Sequence, residues 1–144
     1  MMEDKQTTLL LVDDDEVDVM TVKRAFKKNN ITNTLYVASN GLEALEILRG
    51  KEMPKLQPGQ RRLILLDLNM PKMGGIEFLR ELRADPELRA IPVIVLTTSN
   101  EEKDKVEAYN LNVAGYIIKP VTFGKFVEAV GTLNRYWTLS EMPD

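Results

Sequence analysis

The sequence predicts an α/β fold, a doubly wound parallel sheet with helices on both faces, and two observations support this prediction. Five short apolar runs recur along the chain, and segments with helical spacing of apolar residues alternate with them. Nearly continuous runs of Leu, Ile and Val are typical of strands that are buried on both faces. Right-handed crossovers between such strands place the intervening helices on both faces of one sheet.

The predicted strands are short, and four of the five are followed directly by a polar residue. A strand that is buried on both faces does not need the apolar–polar alternation of a half-exposed strand. The predicted strands are Leu9–Val12, Leu35–Val37, Leu63–Leu66, Val93–Leu96 and Tyr116–Ile118.

The segments between and after the strands repeat apolar residues every three or four positions, which is the spacing of one helix face. The last stripe is the clearest, and we expect it to face the core, with Trp137 at its far end reaching into a dimer partner. The repeating residues are Val19, Val22 and Phe26; Leu42, Leu45 and Leu48; Leu79 and Leu82; Val106 and Tyr109; and Phe126, Val130, Leu133 and Trp137.

The 144 residues are expected to form one domain, 1–144, with a core at about 8–137 and a short C-terminal tail at 138–144. The segment from Gly50 to Arg62 contains two Pro and two Gly and is predicted to be a surface loop.

The composition excludes several kinds of site. The chain has no Cys and no His, which excludes disulfides, thiol catalysis, Ser/His/Asp triads and most zinc sites. The net charge of −3 gives no basic patch for nucleic acid or a membrane surface. No apolar stretch approaches the roughly 18 residues of a membrane helix, so the cytoplasm is the expected location.

Polar residues that suit phosphate and metal chemistry follow the predicted strands. Asp13–Asp15, Asp67, Thr97 and Lys119 all begin where a strand ends. Because sites in open parallel sheets form at the carboxyl ends of strands, these side chains are expected to share one crevice. A carboxylate such as Asp67 after a buried run must be solvated, paired or metal-bound, and Mg²⁺ suits several carboxylates in one crevice.

Each of these residues also has a simpler interpretation. The acidic run could cap a helix, Lys119 could be an exposed residue, and Thr97 could be an ordinary β-branched strand residue. Together, however, a metal, a lysine and a hydroxyl around Asp67 provide the charge neutralisation that phosphoryl transfer needs. Since the chain lacks His, a histidine phosphodonor must belong to another protein.

In order and content, these segments resemble the receiver domain of two-component response regulators. The matching segments are Leu9–Asp15, Leu65–Gly75, Val93–Ser99 and Gly115–Pro120. The resemblance implies the flavodoxin-like fold with strand order 2-1-3-4-5. The long loop and the C-terminal segment resemble the stand-alone response regulators that partner bacterial phytochrome kinases.

The resemblance also implies a role for each site residue. Asp67 would accept the phosphoryl group, which makes the protein a switch with only weak self-phosphorylation and self-dephosphorylation chemistry. Asp14 would bind Mg²⁺ directly, Asp13 would act largely through water, and the backbone carbonyl of Asn69 would be the third protein ligand. Asp15, which extends the family's acidic pair, is expected to be a helix cap.

The remaining implied roles concern the response. Lys119 would hold one phosphoryl oxygen, and Thr97 would move to bond another. Tyr116 would turn inward after Thr97 moves, although it could equally be an amphipathic residue at the sheet edge.

The implied partner is a histidine kinase or a phosphotransfer protein, with a bacteriophytochrome kinase as one candidate. A homodimer through the fourth helix, fifth strand, fifth helix and C-terminal segment is a second expected contact. After the fifth strand there is room for only one helix and a short tail, so we expect no attached output domain, no nucleic acid and no membrane partner.

Two other functions remain open at this stage. A phosphatase of the haloacid-dehalogenase type also uses a strand-end Asp with Mg²⁺, but it needs a second acid two residues later, where this chain has Asn69. A flavin-binding carrier would need a hydroxyl-rich phosphate loop after the first strand, and Asp13–Asp15 would repel that phosphate.

Overall fold

The computed structural model describes residues 7–50 and 61–140. These residues form a five-stranded parallel sheet in the order β2-β1-β3-β4-β5, as predicted. The strands are β1 (Thr7–Val12), β2 (Leu35–Ala38), β3 (Arg61–Leu66), β4 (Val93–Thr97) and β5 (Gly115–Ile118).

Each strand of the sheet is followed by a helix, so strand and helix alternate five times over the described residues. The helices are α1 (Glu16–Lys28), α2 (Gly41–Leu48), α3 (Gly75–Ala84), α4 (Glu102–Asn110) and α5 (Phe123–Leu139). The predicted strands and helices are therefore confirmed, with small differences at their ends.

The register of the sheet brings the carboxyl ends of its central strands together. Val12, the last residue of β1, pairs with Ala38 of β2 and with Leu66 of β3. At the other side, Thr97 ends β4 and pairs with Ile118 of β5. The residues that follow these strands consequently lie along one edge of the sheet, where ligands bind in this class of fold.

Two apolar layers hold the sheet between its helices. In β1, Leu10 and Val12 face the layer formed with α2, α3 and α4, whereas Leu9 and Leu11 face the layer formed with α1 and α5. Successive side chains of a strand point to opposite faces, so both sets must be apolar when both faces are covered. This explains why the predicted strands are continuous apolar runs.

The stripe of α5 lies in the core, as predicted, but the expectation for its last residue is wrong. Trp137 is only 1% exposed, and its ring lies 6.0 Å from that of Phe26 in α1, at an interplanar angle of 52°. Because α1 packs alongside α5, it covers the far end of the stripe. Trp137 therefore belongs to the core of its own chain and does not reach into a partner.

The helical spacing in α4 predicted the helix but not its buried face. Val106 and Tyr109 are both exposed, and Ala108 is the residue of α4 that packs into the core. A small residue faces the sheet here, so the larger apolar side chains of α4 remain on the surface.

Two predicted segments lie partly outside the described residues. Of the predicted loop from Gly50 to Arg62, residues 51–60 are outside, and β3 already begins at Arg61. Of the predicted tail, 141–144 are outside, and α5 continues to Leu139. Within the described ranges, none of the helices has the length and apolar character required to cross a membrane.

Candidate functional site

Asp67 lies immediately after β3, in the crevice at the carboxyl edge of the sheet. Its backbone N–H still donates to the carbonyl of Val12 at 2.9 Å, so the sheet fixes where its side chain starts. The loop that follows packs closely against it, because a Cβ at Gly75 would lie 2.6 Å from the carbonyl oxygen of Asp67. The side chain of Asp67 is nearly buried, and the residue is 7% exposed.

Two donors hold one oxygen of the Asp67 carboxylate. The hydroxyl of Thr97, which is fully buried, donates to Oδ1 at 2.7 Å. The backbone N–H of Asn69 donates to the same oxygen at 3.3 Å. Hydrogen bonds to a charged acceptor are stronger than those between neutral groups, so both donors stabilise the ionised carboxylate.

Lys119 brings a positive charge to the other side of the site. Its Nζ donates to Oδ2 of Asp13 at 2.9 Å, to Oδ2 of Asp18 at 2.8 Å and to Oδ2 of Asp67 at 3.5 Å. Burial alone would lower the pKa of Lys119, but the hydrogen bonds to Asp18 and Asp13 raise it above the ordinary value. The lysine is therefore a fixed cation at neutral pH.

Asp13 is the most buried acid of the crevice. Burial raises its pKa, although the hydrogen bonds from Lys119 and from the backbone N–H of Asp15 act in the opposite direction. Asp15 does not join this cluster. Its side chain accepts hydrogen bonds from the backbone N–H groups of Val17 and Asp18, so it is the N-cap of α1, as expected.

The donor set fits a hard divalent cation. Among the described residues, Asp13, Asp18 and Asp67 each present a carboxylate oxygen, and these oxygens lie within 4.8 Å of one another. Carboxylates, carbonyls and water are the ligands that Mg²⁺ and Mn²⁺ prefer. The ammonium of Lys119 lies against the same three carboxylates, so a cation would share them with the lysine.

Some of the predicted site residues are in direct contact and others are not. Asp13, Asp67, Thr97 and Lys119 meet through direct hydrogen bonds. Asp14 is exposed and does not belong to the group of neighbouring carboxylates in the described part of the chain. The assignments of Asp14 and of the Asn69 carbonyl as metal ligands stay predictions.

Asp18 is the residue of this cluster that the sequence analysis missed. It lies in the first turn of α1, where an acid is usually explained by the favourable interaction with the helix dipole. Because this local explanation is sufficient, the sequence contained no separate signal that Asp18 joins the strand-end acids.

Tyr116 connects the site to α4. Its hydroxyl donates to the carbonyl of Ser99 at 3.0 Å, and burial raises the pKa of Tyr116. The Ser99 hydroxyl in turn donates to Asp104 of α4 at 2.6 Å, while its backbone N–H donates to Thr97 Oγ1 at 3.3 Å. The ring of Tyr116 is half-buried and turned towards the protein. Through Ser99, hydrogen bonds connect Asp67 and Thr97 to Asp104 of α4.

Comparison with known proteins gives a consistent result. Residues 9–131 match the family described as the response regulator receiver domain. The chain is 37% identical over 134 residues to the probable methanogenesis regulatory protein FilR2 of Methanothrix harundinacea (strain 6Ac), covering 90% of this chain and 82% of FilR2. It is 36% identical over 129 residues to response regulator Rcp1 of Synechocystis sp. (strain ATCC 27184 / PCC 6803 / Kazusa), covering 90% and 87%.

The solved structures that resemble this chain also include response regulators. The phosphorylated cyanobacterial phytochrome response regulator RcpA superposes with a TM-score of 0.85 at 32% identity, covering 96% of this chain and 99% of RcpA. The Mn²⁺-bound form of Rcp1 superposes with a TM-score of 0.83 at 34% identity, again covering 96% and 99%.

Proposed function

Because the chain belongs to the response regulator receiver domain family, we propose that Asp67 accepts a phosphoryl group from a partner histidine kinase or phosphotransfer protein. Receiver domains are phosphoacceptor switches, and the proposed output is a conformational change read through protein contact. The observation that carries the proposal is the environment of Asp67, in which a buried hydroxyl and a lysine flank a nearly buried carboxylate.

The two oxygens of Asp67 have different surroundings, which suggests how the reaction proceeds. Oδ1 accepts the hydrogen bonds of Thr97 and Asn69, whereas the contact described for Oδ2 is the longer one to Lys119. Oδ2 is therefore the oxygen proposed to attack phosphorus. The phosphorus–nitrogen bond of the donor's phosphohistidine breaks as the new phosphorus–oxygen bond forms, and the imidazole leaves with the bonding electron pair.

A divalent metal, which receiver domains use, fits the neighbouring carboxylates, and we propose Mg²⁺. When bound, such a cation would neutralise charge on the transferring group. Asp13 and Asp67 are the buried acids that would face it, with Asp14 and the Asn69 carbonyl as further proposed ligands. Lys119 would hold a phosphoryl oxygen, and Thr97 would donate to another.

The donor is proposed to be a histidine kinase or a phosphotransfer protein, because receiver domains take phosphate from histidine kinases and the chain has no His of its own. Among the structural neighbours, RcpA is a cyanobacterial phytochrome response regulator. A bacteriophytochrome kinase is accordingly the partner that we would test first. We also propose that residues 1–144 form a single domain.

A second contact is proposed between copies of the chain. Exposed apolar side chains occur on α4, on the edge strand β5 and on α5. An apolar surface of this kind is typical of protein interfaces. The side chains are Val106, Tyr109, Ile118, Tyr136 and Leu139.

The proposed acceptor can be tested with purified protein, Mg²⁺ and acetyl phosphate. We expect the intact mass of the chain to increase by one phosphoryl group, and Asp67→Asn to abolish this increase. Asp85→Asn, at the C-cap of α3 and outside the group of neighbouring carboxylates, is the matched control and should still gain the group. An Asp67→Asn variant that gains the phosphoryl group as readily as the control would disprove the assignment.

A further inference from the structure

The ammonium of Lys119 has as many acceptors as it has protons. A lysine ammonium donates three hydrogen bonds, and here three carboxylates accept them. The contacts to Asp18 and Asp13 are short, at 2.8 and 2.9 Å, whereas the contact to Asp67 is 3.5 Å. In this arrangement the lysine is held mainly by the two acids of the β1–α1 region and only loosely by the proposed acceptor.

The two short contacts differ in what their loss would cost. The side chain of Asp13 is 1% exposed, so without Lys119 it would become a buried charge with little compensation. The side chain of Asp18 is 36% exposed and lies in the first turn of α1, where the helix dipole stabilises a carboxylate. A cavity of about 500 Å³, lined by Asp18 and Lys119, lies beside the pair. Asp18 can therefore be rehydrated after separation.

A phosphoryl group on Asp67 would create new acceptors within reach of Lys119. It adds about two negative charges and three strong acceptor oxygens. The proton directed at Oδ2 of Asp67, whose contact is the longest at 3.5 Å, can turn to a phosphoryl oxygen first. Any further approach of Lys119 to the phosphoryl group stretches its two short hydrogen bonds, and of these the one to Asp18 breaks more easily than the one to the buried Asp13.

We propose that Asp18 is a positioning residue that holds Lys119 away from Asp67 until a phosphoryl group competes for it. The proposal rests on the proposed function of Asp67. Asp18 then disfavours the phosphorylated state, and it does so through Lys119 and not by contact with the transferred group. Removing its charge should let Lys119 move towards Asp67 and should favour the phosphorylated form.

The test is the affinity of the chain for beryllofluoride, a mimic of the phosphoryl group, measured in saturating Mg²⁺ by ¹⁹F NMR titration. We expect Asp18→Asn to bind roughly two- to fivefold more tightly than the unaltered chain, the range for a partly exposed ion pair. Asp18→Glu keeps the charge, so its affinity for beryllofluoride should be close to that of the unaltered chain. Glu16→Gln, which removes a charge from the same exposed turn, should change affinity less than Asp18→Asn.

A double-mutant cycle separates positioning from a general effect of charge. In a Lys119→Met background the lysine can no longer be held, so Asp18→Asn should add no gain in affinity. An equal gain in both backgrounds, or unchanged or weaker binding by Asp18→Asn, would overturn the proposal. Absence of beryllofluoride binding by the unaltered chain would overturn the proposed function as well, whereas normal binding insensitive to Asp18→Asn would overturn only this inference.

Discussion

At the scale of single residues, the crevice combines groups that would be costly to bury alone. Asp13 and Asp67 are both nearly buried, and their charges are stabilised by Lys119, by the Thr97 hydroxyl and by backbone N–H groups. An unpaired carboxylate in such a place would be strongly destabilising. The groups that stabilise the carboxylates of Asp13 and Asp67 are the same groups that are proposed to stabilise a phosphoryl group.

The hydroxyl of Thr97 should contribute measurably to stability. Thr97→Val keeps the shape of this buried side chain but removes the donor to Asp67. Hydrogen bonds to charged groups are worth about 1.5–3 kcal/mol, so we expect the free energy of unfolding in urea to fall by about that amount. Thr98→Val, at the exposed neighbouring position, should change it by about 0.5 kcal/mol or less. Equal effects of the two substitutions would contradict the assigned hydrogen bond.

Alkaline pH tests the ion pairs of Lys119. Burial alone would lower its pKa, but the hydrogen bonds to Asp18 and Asp13 raise it above the ordinary value of 10.5. The folded chain therefore keeps this proton where the unfolded chain loses it, so the stabilisation is complete below pH 10.5 and is lost as the pH rises above that value. Urea unfolding at increasing pH should show this decline, and Lys119→Met should reduce its slope.

Tyr116 contributes to the same decline and needs its own control. Burial raises its pKa above 10.0, so the folded state also retains this proton longer than the unfolded state. Tyr116→Phe measures that contribution separately. If Lys119→Met and the unaltered chain lose stability with identical slopes, the ion pairs of Lys119 do not stabilise the fold as described.

At the scale of secondary structure elements, α1 and α5 form a pair on one face of the sheet. The rings of Phe26 and Trp137 contact each other between the two helices. The side chain of Asn29, the C-cap of α1, donates to the carbonyl of Val127 in α5 at 3.0 Å. A carbonyl oxygen within α5 is thereby linked to α1 in addition to the apolar packing. The pair holds the N-terminus of α1, with Asp15 and Asp18, beside β5 and Lys119.

Trp137 should be a major contributor to the stability of this pair. Trp137→Ala removes a fully buried ring, and such substitutions cost about 3–5 kcal/mol. Leu139→Ala, two residues later at a position that is 81% exposed, should cost about 0.5 kcal/mol or less. The measurement is urea unfolding followed by circular dichroism. A small effect of Trp137→Ala would contradict its position in the core.

The positions of the strands and helices explain which site residues and which buried side chains could be predicted from the sequence. Asp13, Asp67, Thr97 and Lys119 were predictable as a group, because each follows an apolar run and parallel strands end at one edge of the sheet. Asp18 was not, since an acid in the first turn of a helix has a sufficient local explanation. The burial of Trp137 and the exposure of Val106 depend on which neighbouring helix covers them, and spacing along one helix does not contain that information.

At the scale of the whole molecule, the contacts from Asp67 to α4 suggest how a local change could reach a distant surface. Thr97 contacts Asp67, Ser99 contacts Thr97 and Tyr116, and Asp104 of α4 contacts Ser99. A phosphoryl group that displaced Thr97 would disturb every later contact. Such a change would bias two arrangements of α4 and its neighbours rather than build a new structure.

The proposed contact between copies can be tested by sedimentation velocity over a wide range of concentration, with and without beryllofluoride and Mg²⁺. We expect association that increases with the mimic, and Val106→Glu on α4 should weaken it because it places a charge in the apolar surface. Met20→Glu, at an exposed apolar position of α1, is the matched control and should leave association unchanged. A chain that stays monomeric under all conditions would contradict the proposed dimer.

Chemical mapping of the modified residue is the most direct test of Asp67 as the phosphoacceptor. Reduction of an acyl phosphate with borohydride converts the modified aspartate to homoserine, which peptide mass spectrometry identifies by position. After treatment with acetyl phosphate and Mg²⁺, we predict homoserine at position 67, with Asp13, Asp14 and Asp18 recovered unchanged. Homoserine at one of those three positions, with Asp67 intact, would show that Asp67 is not the acceptor.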